Sequence, residues 1–140
     1  MNIVVTSIAD PSYKGTGKVS EYNGVEICKL TSSMRSTMTV DGHQKHVTVP
    51  IGFRTDFGTI PKWAQKIVHA KGKGKRAYVL HDFLCQKKQH PRSYIDKCLL
   101  AALKFCKVPF KERWIAYISV RLYVIFIEPF SKSNRFGDSK

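Results

Sequence analysis

β-branched residues gather in short runs through the first third of the chain: Ile3 to Thr6, Val25 to Leu30, Thr37 to Val40 and Lys45 to Val49. Gly, Asn, Asp and Ser separate them, which predicts strands joined by turns. Asp41-Gly42 lies between the last two runs. Both central residues of a type I′ turn need positive φ, so this pair predicts a two-residue hairpin. From Pro50 to Pro61 the chain is bounded by prolines and holds Gly52 and Gly58, the pattern of an irregular connector.

Beyond Pro61 the apolar spacing turns helical. Pro61 can open a short helix to about Ala70, because proline at the first helical position gives up an amide that has no partner there. Lys71-Gly72-Lys73-Gly74-Lys75 ends it. From Arg76 to about Lys87 the apolar Tyr78, Val79, Phe83 and Leu84 leave a mixed face carrying His81, Asp82 and Cys85, and Pro91 closes that helix. Ser93 is placed to cap the next, in which Ile95, Cys98, Leu99, Ala102 and Phe105 fall on one stripe. After Val108-Pro109, Trp114 to Ile127 is apolar except for Ser119 and Arg121. Its 14 residues fall short of the roughly 20 that cross a bilayer, so it reads as a buried element. The expected fold is therefore α+β, a small antiparallel N-terminal sheet followed by three to four helices. Residues 1–130 form one domain and residues 131–140 a flexible polar tail.

Composition agrees with one domain: 43% of 140 residues are hydrophobic, roughly 60 for a core. Charge changes the picture more. The chain has 24 Lys and Arg against 10 Asp and Glu, a net +14, and Lys62 to Lys111 alone holds 13 cations against Asp82 and Asp96. Such a surplus on a folded region favours a polyanionic partner: nucleic acid first, with anionic lipid and acidic glycan as the other candidates. Met1 to Ile8 has neither the basic nor the apolar part of a secretory signal, which points to an intracellular protein. Cys28, Cys85, Cys98 and Cys106 form no CxxC pair and sit in apolar contexts, as free thiols do.

His81-Asp82 is the most chemical feature, since an imidazole relays protons near neutral pH and a carboxylate beside it can hold a cation or a water. The turn at Pro91 brings Asp96 onto an antiparallel neighbouring helix, where it can accept a hydrogen bond from the His81 ring. These residues suit a catalytic His/Asp site and equally a buried network that links two helices. Arg121 follows Trp114 by seven residues and so points along an apolar face, where its guanidinium either pairs with Asp56, Asp82 or Asp96 or serves as an anion-binding residue. Lys71, Lys73, Lys75 and Arg76 precede a helix, and with glycine amides between them they make a candidate phosphate-binding stretch, though not a Walker loop. Lys14-Gly15-Thr16-Gly17-Lys18 reads as a solvated basic loop. His81, Cys85, His90 and Cys98 are conceivable metal ligands without a recognised zinc spacing. No Ser or Cys stands in a recognisable nucleophile context, and His43, His46 and His69 look like ordinary surface or loop residues.

Gly52-Phe53-x-Thr55-Asp56-Phe57-Gly58-Thr59-Ile60-Pro61, then Arg76-Ala77-x-Val79-Leu80-His81-Asp82-x-Leu84, then Asp96, then Val120-Arg121-Leu122, resemble a family of short uncharacterised phage and prophage proteins. The resemblance covers about Val49 to Leu122. Gly58 replaces the family's usual Ala and Cys85 its usual Tyr, so no charged position is lost. It implies a phage origin and carries no established activity. The His-Asp helix is also remotely similar to that of calcium-dependent secreted phospholipases. That likeness implies a water activated by His81, calcium on Asp82, orientation of His81 by Asp96, and carbonyl ligands from Gly52 to Gly58.

Three functions follow as expectations. The first is a phage accessory protein that binds nucleic acid, RNA foremost, through its basic surface, with hydrolysis by the His/Asp site as an extension. The second is a calcium-dependent lipid or ester hydrolase acting on anionic lipid. The third is a non-enzymatic virion component, or an inhibitor of host defence, whose partner is a host or phage protein. The host cytoplasm or the virion is the expected location.

Overall fold

The computed structural model describes residues 2–19, 26–55 and 74–122. The helix expected from Pro61 to Ala70, the motif residues Asp56 and Pro61, Lys71 and Lys73, the last apolar segment beyond Leu122 and the polar tail lie outside the described residues. Within them are strands β1 (Ile3–Ile8), β2 (Tyr13–Val19), β3 (Glu26–Leu30), β4 (Met34–Val40), β5 (His43–Val49) and β6 (Arg54–Thr55). Helices α1 (Lys75–Lys87), α2 (Arg92–Phe105) and α3 (Phe110–Leu122) follow. The arrangement is α+β, with two antiparallel three-stranded sheets, ordered β1-β4-β5 and β2-β3-β6, where one was expected.

β4 is the middle strand of its sheet and shows why. Met34, Ser36, Met38 and Val40 are buried while the residues between them are not, the period of two that lays one face on a core. The β4–β5 hairpin turns at Asp41 and Gly42 with φ of 49° and 83°, both positive as the Asp-Gly pair predicts. β1 has a register shift between Val5 and Ser7. That bulge puts Val5 and Ile8, an odd number of residues apart, on the same buried face. Lys14 to Lys18 lies within β2, so the expected basic loop is a strand. What favours pairing there is Glu26 of β3, whose carboxylate accepts the Gly17 amide at 3.0 Å and lies where a side chain at Gly15 would collide with it.

α2 lies against β1, with α1 and α3 packed on α2. Pro91 caps α2 without a side-chain bond, and its carbonyl accepts the Tyr94 and Ile95 amides. Ser93 is thus an exposed first-turn residue and not the expected cap. On α3 only Ala116, Ser119 and Val120 are buried, whereas Phe110, Trp114, Ile118 and Leu122 are exposed. The small residues let α3 approach its neighbour closely, which turns the large ones outward and overturns the expected burial of Trp114, Ile118 and Leu122.

Gly74 begins α1 in a tight corner. A β-carbon there would stand 2.9 Å from Leu103 Cδ2, 3.2 Å from Tyr78 and 3.3 Å from Val108. Leu103 is itself fully buried and has little room to yield. Gly74→Ala is expected to cost about 1–3 kcal/mol through overpacking, read as a lower urea midpoint at unchanged slope. A variant as stable as the parent would show that this corner yields freely.

Candidate functional site

α1 is buried almost all round: Ala77, Tyr78, Val79, Leu80, His81, Asp82 and Leu84 are inside. A helix wrapped in this way buries two adjacent polar residues in different directions, since successive residues differ by about 100°. Each must then find its own partner.

His81 turns towards α2. Its Nε2 donates to Asp96 Oδ1 at 2.7 Å, and both side chains have zero exposure. Two arginines reach the same carboxylate: Arg92 Nε donates to Oδ1 at 3.0 Å, and Arg121 Nη1, from α3, donates to Oδ2 at 2.9 Å. Asp96 is therefore the node at which all three helices meet. Burial alone would raise the pKa of its carboxyl. The hydrogen bond and charge of His81, the charge of Arg92 and the hydrogen bond from Arg121 outweigh that effect and hold it below the usual carboxylate range. Arg121 does point along the helix-packing face, and its carboxylate is Asp96. Arg92 is the member that sequence reasoning missed, although its i, i+4 spacing from Asp96 is a signal for such a pair.

Cys85, on the next turn of α1, lies against the His81 ring. The sulfur is 3.7 Å from Nδ1 and 3.9 Å from Nε2. A thiol aligned on the Nδ1 lone pair would be much farther from Nε2, so the near-equal distances describe packing on the ring and not a directed proton path.

Asp82 turns the opposite way. The Thr55 hydroxyl of β6 donates to its Oδ2 at 2.6 Å, both residues being fully buried. The motif residues Gly52 and Phe53 prepare this contact. Gly52, at φ 91°, donates its amide to the Leu30 carbonyl, and the Phe53 carbonyl accepts the Leu30 amide, which fixes β6 beside β3. The Phe53 carbonyl proposed as a calcium ligand is thus engaged in the backbone ladder. Among the described residues no group of three or more His, Cys, Asp or Glu converges as a metal site. His90 instead stacks on Tyr94 at 4.6 Å, and Cys98 packs on Met38. All four cysteines are free thiols, with Cys98 pushed up to about 11 by burial.

Of the candidate phosphate ligands within the described residues, Lys75 lies over the Tyr13 ring, its Nζ 4.6 Å from the centroid. Arg76 donates to the Ile8 carbonyl and rests against Phe105. Five residues along a helix rotate the chain by about 140° relative to His81, so Arg76 faces β1 while His81 faces Asp96. Arg76 and His81 therefore do not share a face of α1. No helix among the described residues is long and apolar enough to cross a membrane.

Comparison with known proteins gives no matching curated protein and no matching solved structure. Residues 32–120 match the model of a family described as protein of unknown function (DUF1353), a span that runs from the start of β4 almost to the end of α3 and includes His81, Asp82 and Asp96. The chain belongs to that family.

Proposed function

We propose that the protein is a phage-encoded accessory protein that binds nucleic acid, single-stranded RNA foremost, through the outer surface of its helical half. The observation that carries this reading is the charge left on that surface. Lys75 to Leu122 holds eleven Lys and Arg against Asp82, Asp96 and Glu112, and the two aspartates are fully buried. Lys87, Lys88, Lys97, Lys104, Lys107 and Lys111 stand exposed with almost no acid to offset them. The His81 cluster serves this reading as the joint that holds the three helices, and so the lysines, in fixed relation. The phage setting comes from the motif resemblance.

Binding of a ten-nucleotide RNA measured against salt tests it. If six phosphates are contacted, log K falls with log salt at a slope of about −4. Raising salt from ~50 to ~200 mM then weakens binding by roughly 300-fold. No binding at low salt, or an affinity indifferent to salt, overturns the reading, and binding to anionic vesicles in its place would give the surface to lipid.

A further inference from the structure

A cavity of about 290 Å³ opens between β5 and the turn that joins α1 to α2. The buried Met38 and Leu84 and the half-buried Phe83 give it an apolar floor, and the exposed Lys45, Lys87 and His90, with the neutral Gln89, give it a basic rim. Among the described residues no carboxylate lines it. We infer that this cavity takes a single nucleotide unit, with the base on the floor and the phosphate between Lys45 and Lys87. This inference rests on the nucleic-acid reading and gives it a place.

Lys45 carries the argument. It pairs across the sheet with Met38, a residue on the buried face, so it stands on the inward side of β5, where the alternation of Val47 and Val49 calls for an apolar residue. Its ammonium lies 5.8 Å from the centroid of Tyr94, above the cavity. An inward lysine on the outer strand of a sheet also discourages strand addition. That role explains Lys45 and leaves the cavity unexplained, as well as Lys87, whose ammonium reaches in from α1 over the Phe83 ring at 5.5 Å. Two lysines from separate elements bring cations to one opening, each over an aromatic ring that keeps it near the apolar floor. The volume lies at the small end of ligand pockets, near 300 Å³, suited to one base and its phosphate but not to a duplex. A cationic rim that tracks phosphates beside an apolar surface for the base is the combination by which single strands are held without sequence preference.

Amide NMR shifts of Lys45, Phe83 and His90 are the readout, with a ten-nucleotide RNA and adenosine monophosphate added separately. Movement with both, or with the RNA alone, supports the inference for a nucleotide within a strand. Movement with the mononucleotide alone supports a free-nucleotide site and sets aside the nucleic-acid reading. No movement with either overturns the inference, and RNA binding with a steep salt slope but a silent cavity overturns it while leaving the broader reading intact. Inorganic phosphate reproducing the whole mononucleotide response also overturns it, because the base would then contribute nothing. The double variant Lys45→Gln/Lys87→Gln should lose the mononucleotide response and at least tenfold in RNA affinity. Lys104→Gln/Lys107→Gln, away from the cavity, should weaken RNA binding and keep that response. Equal loss in both double variants counts against a site.

Discussion

Asp96→Ala is expected to destabilise the protein by about 3–5 kcal/mol, the loss that follows when one member of a buried charge cluster is removed and the others remain. The cost falls unevenly on the three partners. His81 is fully buried, and its Nε2 proton would be left facing a hole. Arg92 and Arg121 have side chains 18% and 27% exposed, so water recovers part of what they lose. For the same reason Arg121→Met should cost less than about 1.5 kcal/mol, since Asp96 keeps its hydrogen bonds with His81 and Arg92. Urea unfolding of both variants measures the difference. Equal losses would mean that Arg121 supplies most of what Asp96 contributes and that His81 and Arg92 add little.

The same carboxylate sets an acid limit. Its folded-state pKa lies below the ordinary value, so the stability it provides is present above the unfolded pKa, about 4, and is lost as pH falls through the folded value. The urea midpoint of the parent should therefore drop as pH is lowered from ~5 towards ~2. Asp96→Asn, less stable at neutral pH, should show a smaller drop. Parallel curves for the two proteins would place the acid sensitivity on other carboxylates.

Where local chemistry decides the outcome, the sequence was legible. Asp41-Gly42 can hardly turn in another way, and the spacing of Ile95, Cys98, Leu99 and Ala102 leaves α2 one face to bury. The contact of His81 with Asp96 could be read because an antiparallel helix pair with a short turn brings those two levels together. The misses have a common cause in long-range geometry. β2 gains a strand from a glutamate that packs where Gly15 and Gly17 leave room, which no window around the glycines reveals. The face that α3 buries depends on how closely α2 approaches, and its apolar content alone favours the wrong side. Lys45 and Lys87 are 42 positions apart, and only the fold places them on one opening.

Asp82→Ala is expected to cost about 2–4 kcal/mol, and the reasoning differs from that for Asp96. The aspartate anchors α1 to β6, and its hydrogen bond with Thr55 joins elements whose residues are 27 positions apart. Both partners are fully buried, so truncating the carboxylate removes a hydrogen bond from the interior and leaves space in its place. Asp82→Asn keeps an oxygen that can accept from Thr55, and it should cost less than half as much if the hydrogen bond dominates. If the negative charge dominates, Asn should be as harmful as Ala. Thr55→Val removes the donor and should cost about 1–3 kcal/mol. Combined with Asp82→Asn in a double-mutant cycle, it should show a coupling of at least ~0.5 kcal/mol, as residues in direct contact do. A coupling near zero would mean that the short O–H···O contact holds β6 no better than its backbone ladder to β3 already does.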